Sequence, residues 1–160
     1  MERSPMTEGG YRRLQEEVKR LKTVERPKAS KAIEIARAHG DLSENAEYHA
    51  AKDHQGLLEA KIRDLDAKMS IAQVIDVSKL SGTRVVFGAT IDIEEVASGE
   101  AKTVVIVGEE EADIQRGYIS FASPLARALL GKNLDDIAKV RLPSGEKEYE
   151  IRAVRFEKIA

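Results

Sequence analysis

The chain has 160 residues, 42% of them hydrophobic and 34% charged, with 26 Lys and Arg against 28 Asp and Glu and a formal net charge of -2. That length makes one large domain or two small ones, and the near-balance of charge leaves no overall basic field for nucleic acid, so any such contact needs a local patch or a partner. The absence of cysteine excludes disulfides and cysteine-based zinc sites, no apolar run is long enough to span a bilayer, and Met1 to Gly10 is too polar for a secretory signal, so a cytoplasmic protein is expected.

The first half carries a helical period. Tyr11, Leu14, Val18 and Leu21 recur at alternating steps of three and four, the spacing of a heptad seam. Pro27 interrupts the stripe and predicts a kink or a local break. Beyond it Ala32, Ile35 and Ala36 resume an apolar stripe whose small residues allow close helix approach. A second, cleaner seam follows: Tyr48, Ala51, Gln55, Leu58, Ile62, Leu65, Met69 and Ala72, with Gln55 its one polar member. Segments of similar length joined by a short turn become antiparallel neighbours. The spacing therefore predicts an antiparallel α-helical coiled-coil hairpin from about Thr7 to about Ile75. At 1.5 Å per residue, each arm reaches roughly 40 Å.

Between the two seams lies Gly40-Asp41-Leu42-Ser43-Glu44-Asn45-Ala46-Glu47-Tyr48. Gly and short polar residues break a helix, so this is the tip of the hairpin. Asp41 and Glu44 admit two accounts. Asp-x-x-Glu is a capping-box pattern, and Ser43 could cap instead. Alternatively, carboxylate oxygens are natural Mg²⁺ ligands, and two of them on an exposed tip form an incomplete site that another macromolecule must complete. Arg37 and Lys52 flank the tip, where they are either solvated charges or contacts to a phosphate backbone. His39, His49 and His54 form no convincing catalytic or metal-binding pattern.

The second half changes period. Arg84 to Ile93, Lys102 to Val107, Val140 to Leu142 and Glu148 to Val154 read as strands, the last two as a hairpin around Pro143-Ser144-Gly145. Ser123-Pro124-Leu125-Ala126-Arg127-Ala128-Leu129-Leu130-Gly131 reads as a helix with Ser at the N-cap, Pro in its first turn and Gly past its end. Glu109-Glu110-Glu111 reads as a solvated loop. An antiparallel sheet packed on one short helix is an α+β domain. The expected division is residues 1–76 for the hairpin and 77–160 for the sheet domain.

The tip motif, extended through His49-Ala50-Ala51-Lys52, resembles the signature of the bacterial Gre transcript cleavage and elongation factor family, and its GreA branch most closely. Pro5-Met6-Thr7 with Leu14, Ala72-Gln73-Val74-Ile75-Asp76, Val86-Phe87-Gly88-Ala89-Thr90, Ile106-Val107-Gly108, and Ile119-Ser120 followed by Ser123 to Lys132 extend the resemblance over essentially the whole chain. Departures are small: Lys28 to Lys31 is more basic than the family pattern, and Asp53 stands in place of Glu.

The resemblance implies an FKBP-like fold for the second domain and a monomer that binds bacterial RNA polymerase, inserting its coil into the secondary channel. There it would stimulate the polymerase's own cleavage of the nascent RNA 3′ end in backtracked complexes. Asp41 and Glu44 would help hold a Mg²⁺ shared with the polymerase active centre, Arg37 and Lys52 would touch the RNA, and Ser123 and Pro124 would dock on the polymerase. The alternative within the family is a channel-binding inhibitor without cleavage activity. Outside it, an FKBP-type isomerase or chaperone is disfavoured by the few aromatic residues of the second half. A purely structural coiled-coil adaptor would leave the tip motif unexplained.

Overall fold

The structure, a computed structural model, describes residues 2–159. It divides into two compact units. One is Arg12–Ile71; the other combines Glu2–Tyr11 with the chain from Ala72 onward. Among the described residues no helix is long and apolar enough to cross a membrane.

The first arm of the hairpin is broken, as Pro27 predicts, and the form of the break decides the packing. Helix α1 (Glu8–Arg20) passes into a π-helical turn at Leu21–Glu25 and continues as α2 (Arg26–Arg37). Pro27 has no N–H, and its ring would meet the carbonyl of Thr23 in a regular α-helix. The wider turn relieves that conflict: the Arg26 N–H donates to the Leu21 carbonyl, five residues back, which is the bond of a π turn. A π turn inserts one residue and moves every later seam position by one. Regular α spacing from Leu21 would turn Ala32 and Ile35 inward. Instead Ala29 and Ala36 are buried, Ile33 is half-buried, Ala32 is exposed and Ile35 is 53% exposed. The expected stripe of Ala32, Ile35 and Ala36 is therefore corrected to Ala29, Ile33 and Ala36.

The second arm is a single helix, α3 (Ala46–Ile71), of 26 residues, about 39 Å long. Its seam follows the expected register. Leu58, Ile62 and Leu65 are buried, while Tyr48, Ala51, Gln55 and Met69 are half-buried. Ion pairs border the seam. Arg26 grips Glu59 through two hydrogen bonds of 2.9 Å, and Lys22 meets Asp66 at 3.3 Å. The Arg26 guanidinium holds the Glu59 carboxyl below its usual range.

The helical period ends before the sequence pattern does. Ala72–Ile75 is a strand, β2, parallel to β1 (Ser4–Thr7), with Ser4 opposite Ala72 and Thr7 opposite Ile75. Val74 and Ile75 suit a strand because their branched side chains fit a pleated surface. Both strands belong to the sheet unit. The division thus falls at Ile71 and Ala72 and takes in the N-terminal segment, which differs from the boundary expected after residue 76.

Five further strands make the main sheet: β3 (Thr90–Glu95), β4 (Ala101–Val107), β5 (Tyr118–Ser120), β6 (Ile137–Leu142) and β7 (Gly145–Arg155), in the order β5-β4-β3-β7-β6. Three pairings are antiparallel; β4 and β5 are parallel, with Val105 opposite Tyr118. The wholly antiparallel sheet expected from sequence is thus corrected to a mixed one. Chain from Gly108 to Gly117 loops back so that β5 runs beside β4 in the same direction. Gly117 makes this return possible: its φ is +78°, and a Cβ there would lie 2.7 Å from the Thr103 carbonyl.

Two other expectations change. Residues 84–89 do not begin β3: Arg84 forms an isolated antiparallel bridge to Asn133, flanked by Val85 N–H to Lys132 O at 2.7 Å and Gly131 N–H to Val85 O at 2.8 Å, and the chain then turns with Ala89 N–H to Val86 O at 3.1 Å. The Glu109–Glu111 run is one turn of 3₁₀ helix, and Glu111 is buried.

The main core lies between this sheet and helix α4 (Pro124–Leu129). Ile91, Ile93, Ile106, Ile151 and Leu129 are fully buried in it, each worth about 1.5–3 kcal/mol. β4 is buried along its last four residues, and a Cβ on the following Gly108 would lie 3.0 Å from the Pro5 carbonyl. The N-terminal strand is therefore packed against the end of β4.

Replacing Leu58 and Ile62 with Ala should cost about 2–5 kcal/mol at each position. The expected result is a loss of far-ultraviolet helical signal in denaturant titration, with the near-ultraviolet signal of the tyrosines in the sheet unit retained. A second expectation concerns pH. The Arg155 guanidinium, 2.7 Å away, and the Thr103 hydroxyl, 2.6 Å away, hold the Asp92 carboxyl below its usual range. A lowered folded-state pKa adds stability that is complete above the unfolded value and is lost as pH falls through the folded one. Both side chains of the ion pair are 39% exposed, so solvent screening keeps the effect small. Asp92→Asn should flatten this part of the acid limb in pH-dependent urea unfolding.

Candidate functional site

Residues 38–45 join α2 to α3. Gly40 turns the chain with φ +115°, a conformation that side chains resist. The N-terminus of α3 is then set by one residue. Asn45 Oδ1 accepts the Tyr48 N–H at 3.0 Å, and Asn45 Nδ2 donates to the Ala36 carbonyl at 2.6 Å. The first bond is an N-cap. The second adds to a carbonyl in the last turn of α2 that also accepts the His39 N–H at 3.1 Å. One side chain thus ties the end of one arm to the start of the other.

That arrangement overturns the capping account of the tip acids. Neither Asp41 nor Ser43 caps α3, and Glu44 does not reach back to close a capping box. Asp41 Oδ1 instead accepts the Ser43 N–H at 3.0 Å and the Ser43 hydroxyl at 2.9 Å, an Asx turn that fixes the tip loop. Asp41 and Glu44 are both exposed. Among the described residues Asp41 Oδ2 and both Glu44 oxygens lack a hydrogen-bonding or ionic partner.

Hard, anionic oxygens of this kind suit Mg²⁺, which asks for six ligands in near-octahedral geometry. Among the described residues no three His, Cys, Asp or Glu converge to hold a metal ion. The two tip carboxylates are of the donor type Mg²⁺ takes but supply fewer than the six ligands it asks for.

Arg37 is the last residue of α2 and Lys52 lies on α3; both are exposed, and neither forms an ion pair among the described residues. Two of the three histidines are engaged locally. His39 Nδ1 lies 3.4 Å from Glu47 Oε2, and His49 Nε2 lies 3.4 Å from the Ser43 carbonyl. His54 is exposed.

Ser123 and Pro124 belong to the sheet unit. Ser123 caps α4 as its spacing predicts: its Oγ accepts the Ala126 N–H at 3.3 Å and donates to the Ser120 carbonyl at 2.7 Å. Pro124 occupies the first turn and is exposed. Asn45 is the site residue that the sequence reading passes over. Its signal is present, since Asn is among the best N-cap residues and it directly precedes the long helix.

Comparison with known proteins covers both units. Residues 4–74 match the family model described as transcription elongation factor, N-terminal, and residues 80–156 match transcription elongation factor, GreA/GreB, C-term. A protein of Anaeromyxobacter sp. (strain K) named transcription elongation factor GreA is 56% identical, over 98% of this chain and 94% of its own length. Its namesake from Methylococcus capsulatus is 54% identical, over 98% and 99% respectively. Among solved structures, the GreA factor homolog 1 (Gfh1) of Thermus thermophilus is similar at 28% identity and a TM-score of 0.43, covering 96% of this chain and 99% of that one. With both family models matched and more than half the residues identical to a GreA over nearly the full length, the chain belongs to the GreA/GreB family of transcription elongation factors.

Proposed function

We propose that this protein binds bacterial RNA polymerase and stimulates the polymerase's own cleavage of backtracked nascent RNA, delivering Asp41 and Glu44 through the secondary channel. The observation that carries this reading is the division of labour at the tip. Asn45 does the capping, so the two carboxylates keep free oxygens on an exposed loop at the end of a helical rod. Family membership supplies the context of transcription elongation.

In this mechanism the protein is not itself an enzyme. A second Mg²⁺ in the polymerase centre would stabilise the attacking and leaving oxygens of an in-line displacement at phosphorus. Asp41 and Glu44 would donate oxygens toward that ion and orient the attacking water near the RNA 3′ end. The Asx turn holds the Asp41 carboxylate in one orientation, so little is lost in ordering it when the shell is completed. Arg37 and Lys52, exposed on α2 and α3, would meet RNA phosphates on either side of the tip. Pro124, exposed beside a cap that fixes the local backbone, is the contact assigned to docking on the polymerase. Both tip acids come from one chain, so a monomer suffices, and the site of action is the cytoplasm.

The test is a halted, backtracked elongation complex supplied with Mg²⁺ and this protein. Wild type should shorten the RNA, while the protein without polymerase leaves the same RNA intact. Asp41→Asn and Glu44→Gln should each lower stimulated cleavage by about a hundredfold or more while polymerase binding is kept. Inhibition of elongation with no cleavage by wild type would point instead to a channel-binding inhibitor.

Docking is tested apart from chemistry. Ser123→Ala together with Pro124→Ala should weaken polymerase binding about tenfold, equivalent to about 1.4 kcal/mol, with the sheet unit still folded because a cap contributes only about 1 kcal/mol. Unchanged affinity in the folded double variant would remove these residues from the interface.

A further inference from the structure

Thr7 is the N-cap of α1, and its Oγ1 accepts the Gly10 N–H at 3.1 Å. In a capping box the residue at Gly10's position is Glu or Gln, and its side chain reaches back to the N–H of the cap. Glycine cannot do this. The missing acceptor comes from 104 residues away: Glu111 Oε2 accepts the Thr7 N–H at 3.2 Å. The Thr7 hydroxyl donates to Glu111 Oε1, and Oε2 also accepts the Gly108 N–H at 2.8 Å. Thr7 is 2% exposed and Glu111 8%.

The glycines fit the same account. A Cβ at Gly10 would overlap the Glu111 side chain, whose Oε1, Cδ and Cγ are its three nearest atoms, and a Cβ at Gly108 would lie 2.8 Å from Glu111 Oε2. Position 10 is thus empty because the carboxylate that would belong to its own side chain has been supplied by Glu111.

We propose that Glu111 closes the capping box at the start of α1, and that this makes it a positioning residue for the tip. Three buried donors converge on one carboxylate, and removing it leaves each without that acceptor in a place water does not reach. α1 is the root of the arm that runs through the π turn and α2 to the tip loop. Fraying of its first turn would leave the tip acids in place but loosely supported, and a small misplacement of a reacting group is costly in rate. The consequence for cleavage rests on the proposed function; the closure of the box does not.

Two variants separate capping from tethering. Glu111→Ala removes both. Gly10→Glu combined with Glu111→Ala rebuilds the box locally, in the space the carboxylate vacates, without the link to Gly108. In Glu111→Ala, amide hydrogen exchange should speed up about tenfold at Thr7, Gly10 and Gly108 together, with core amides such as Ile106 unchanged. In the double variant protection should return at residues 7 and 10 but not at Gly108.

Cleavage at saturating protein should fall about tenfold in Glu111→Ala with polymerase affinity unchanged, and should recover in the double variant, whose first turn is capped again. Wild-type exchange at Thr7 and Gly108 in Glu111→Ala would overturn the long-range box. Cleavage that stays low in the double variant although protection at residues 7 and 10 has returned would overturn the positioning role. Should Glu111→Ala lose its cooperative unfolding transition, Glu111→Met keeps the bulk, removes the acceptor and carries the same comparison. Failure of wild type to stimulate cleavage would count against the proposed function alone, because the exchange measurement needs no polymerase.

Discussion

The tip depends on the two hydrogen bonds of the Asn45 side chain. Helix ends carry unpaired donors and acceptors, and a hairpin brings two such ends together in a few residues. An arrangement that used Asp41 or Glu44 to satisfy them would consume the charge that distinguishes this loop. Asn45 serves both ends with a neutral amide, whose carbonyl accepts and whose NH₂ donates. The carboxylates are left to the Asx turn and to solvent. Capping is thereby left to a neutral side chain, and the two acids within five residues of it are not used for it.

A loop of this kind is useful only on a support that holds its shape. In the second arm that support is a single helix whose seam keeps the heptad spacing from Tyr48 to Met69. In the first arm Pro27 denies the helix one bond, and the π turn answers with one extra residue. Each buried position beyond it moves by one, which brings Ala29 and Ala36 against the partner helix and leaves Ile35 in solvent. Small side chains here allow close approach near the tip, where a larger residue would force the helices apart.

The sheet unit is more than the C-terminal half of the chain. β1 and β2 pair in parallel, and Thr7 is held by a buried glutamate from the loop after β4. A run of three consecutive glutamates therefore has two roles: Glu109 and Glu110 remain exposed, and Glu111 turns inward. Parallel pairing of β5 with β4 follows from the same loop, which carries the chain back along the strand it has just left.

Periodicity and punctuation alone determine the helical hairpin, the register of its second arm, the tip between Arg37 and Ala46, the β6–β7 hairpin and the capped helix α4. These are local features, set by side chains close in sequence: steps of three and four on one helix face, Pro and Gly at turns, and Ser before Pro at a helix start. The candidate tip acids are legible for the same reason, and the resemblance of the motif names their family. Tertiary structure decides what local spacing leaves open. Asp-x-x-Glu reads equally well as a cap or a free pair until Asn45 is seen bonded to a carbonyl on the other arm. The seam of the first arm cannot be counted through Pro27 without knowing that the backbone widens there by one residue. Ala72–Ile75 continues a helical period but becomes a strand because Ser4–Thr7 lies beside it. Glu111 shows its partners only when residues 104 apart meet. Except at the π turn, where the bond from Arg26 to Leu21 is local, the deciding bond joins groups on different elements, and its free energy is absent from a short window of neighbouring residues.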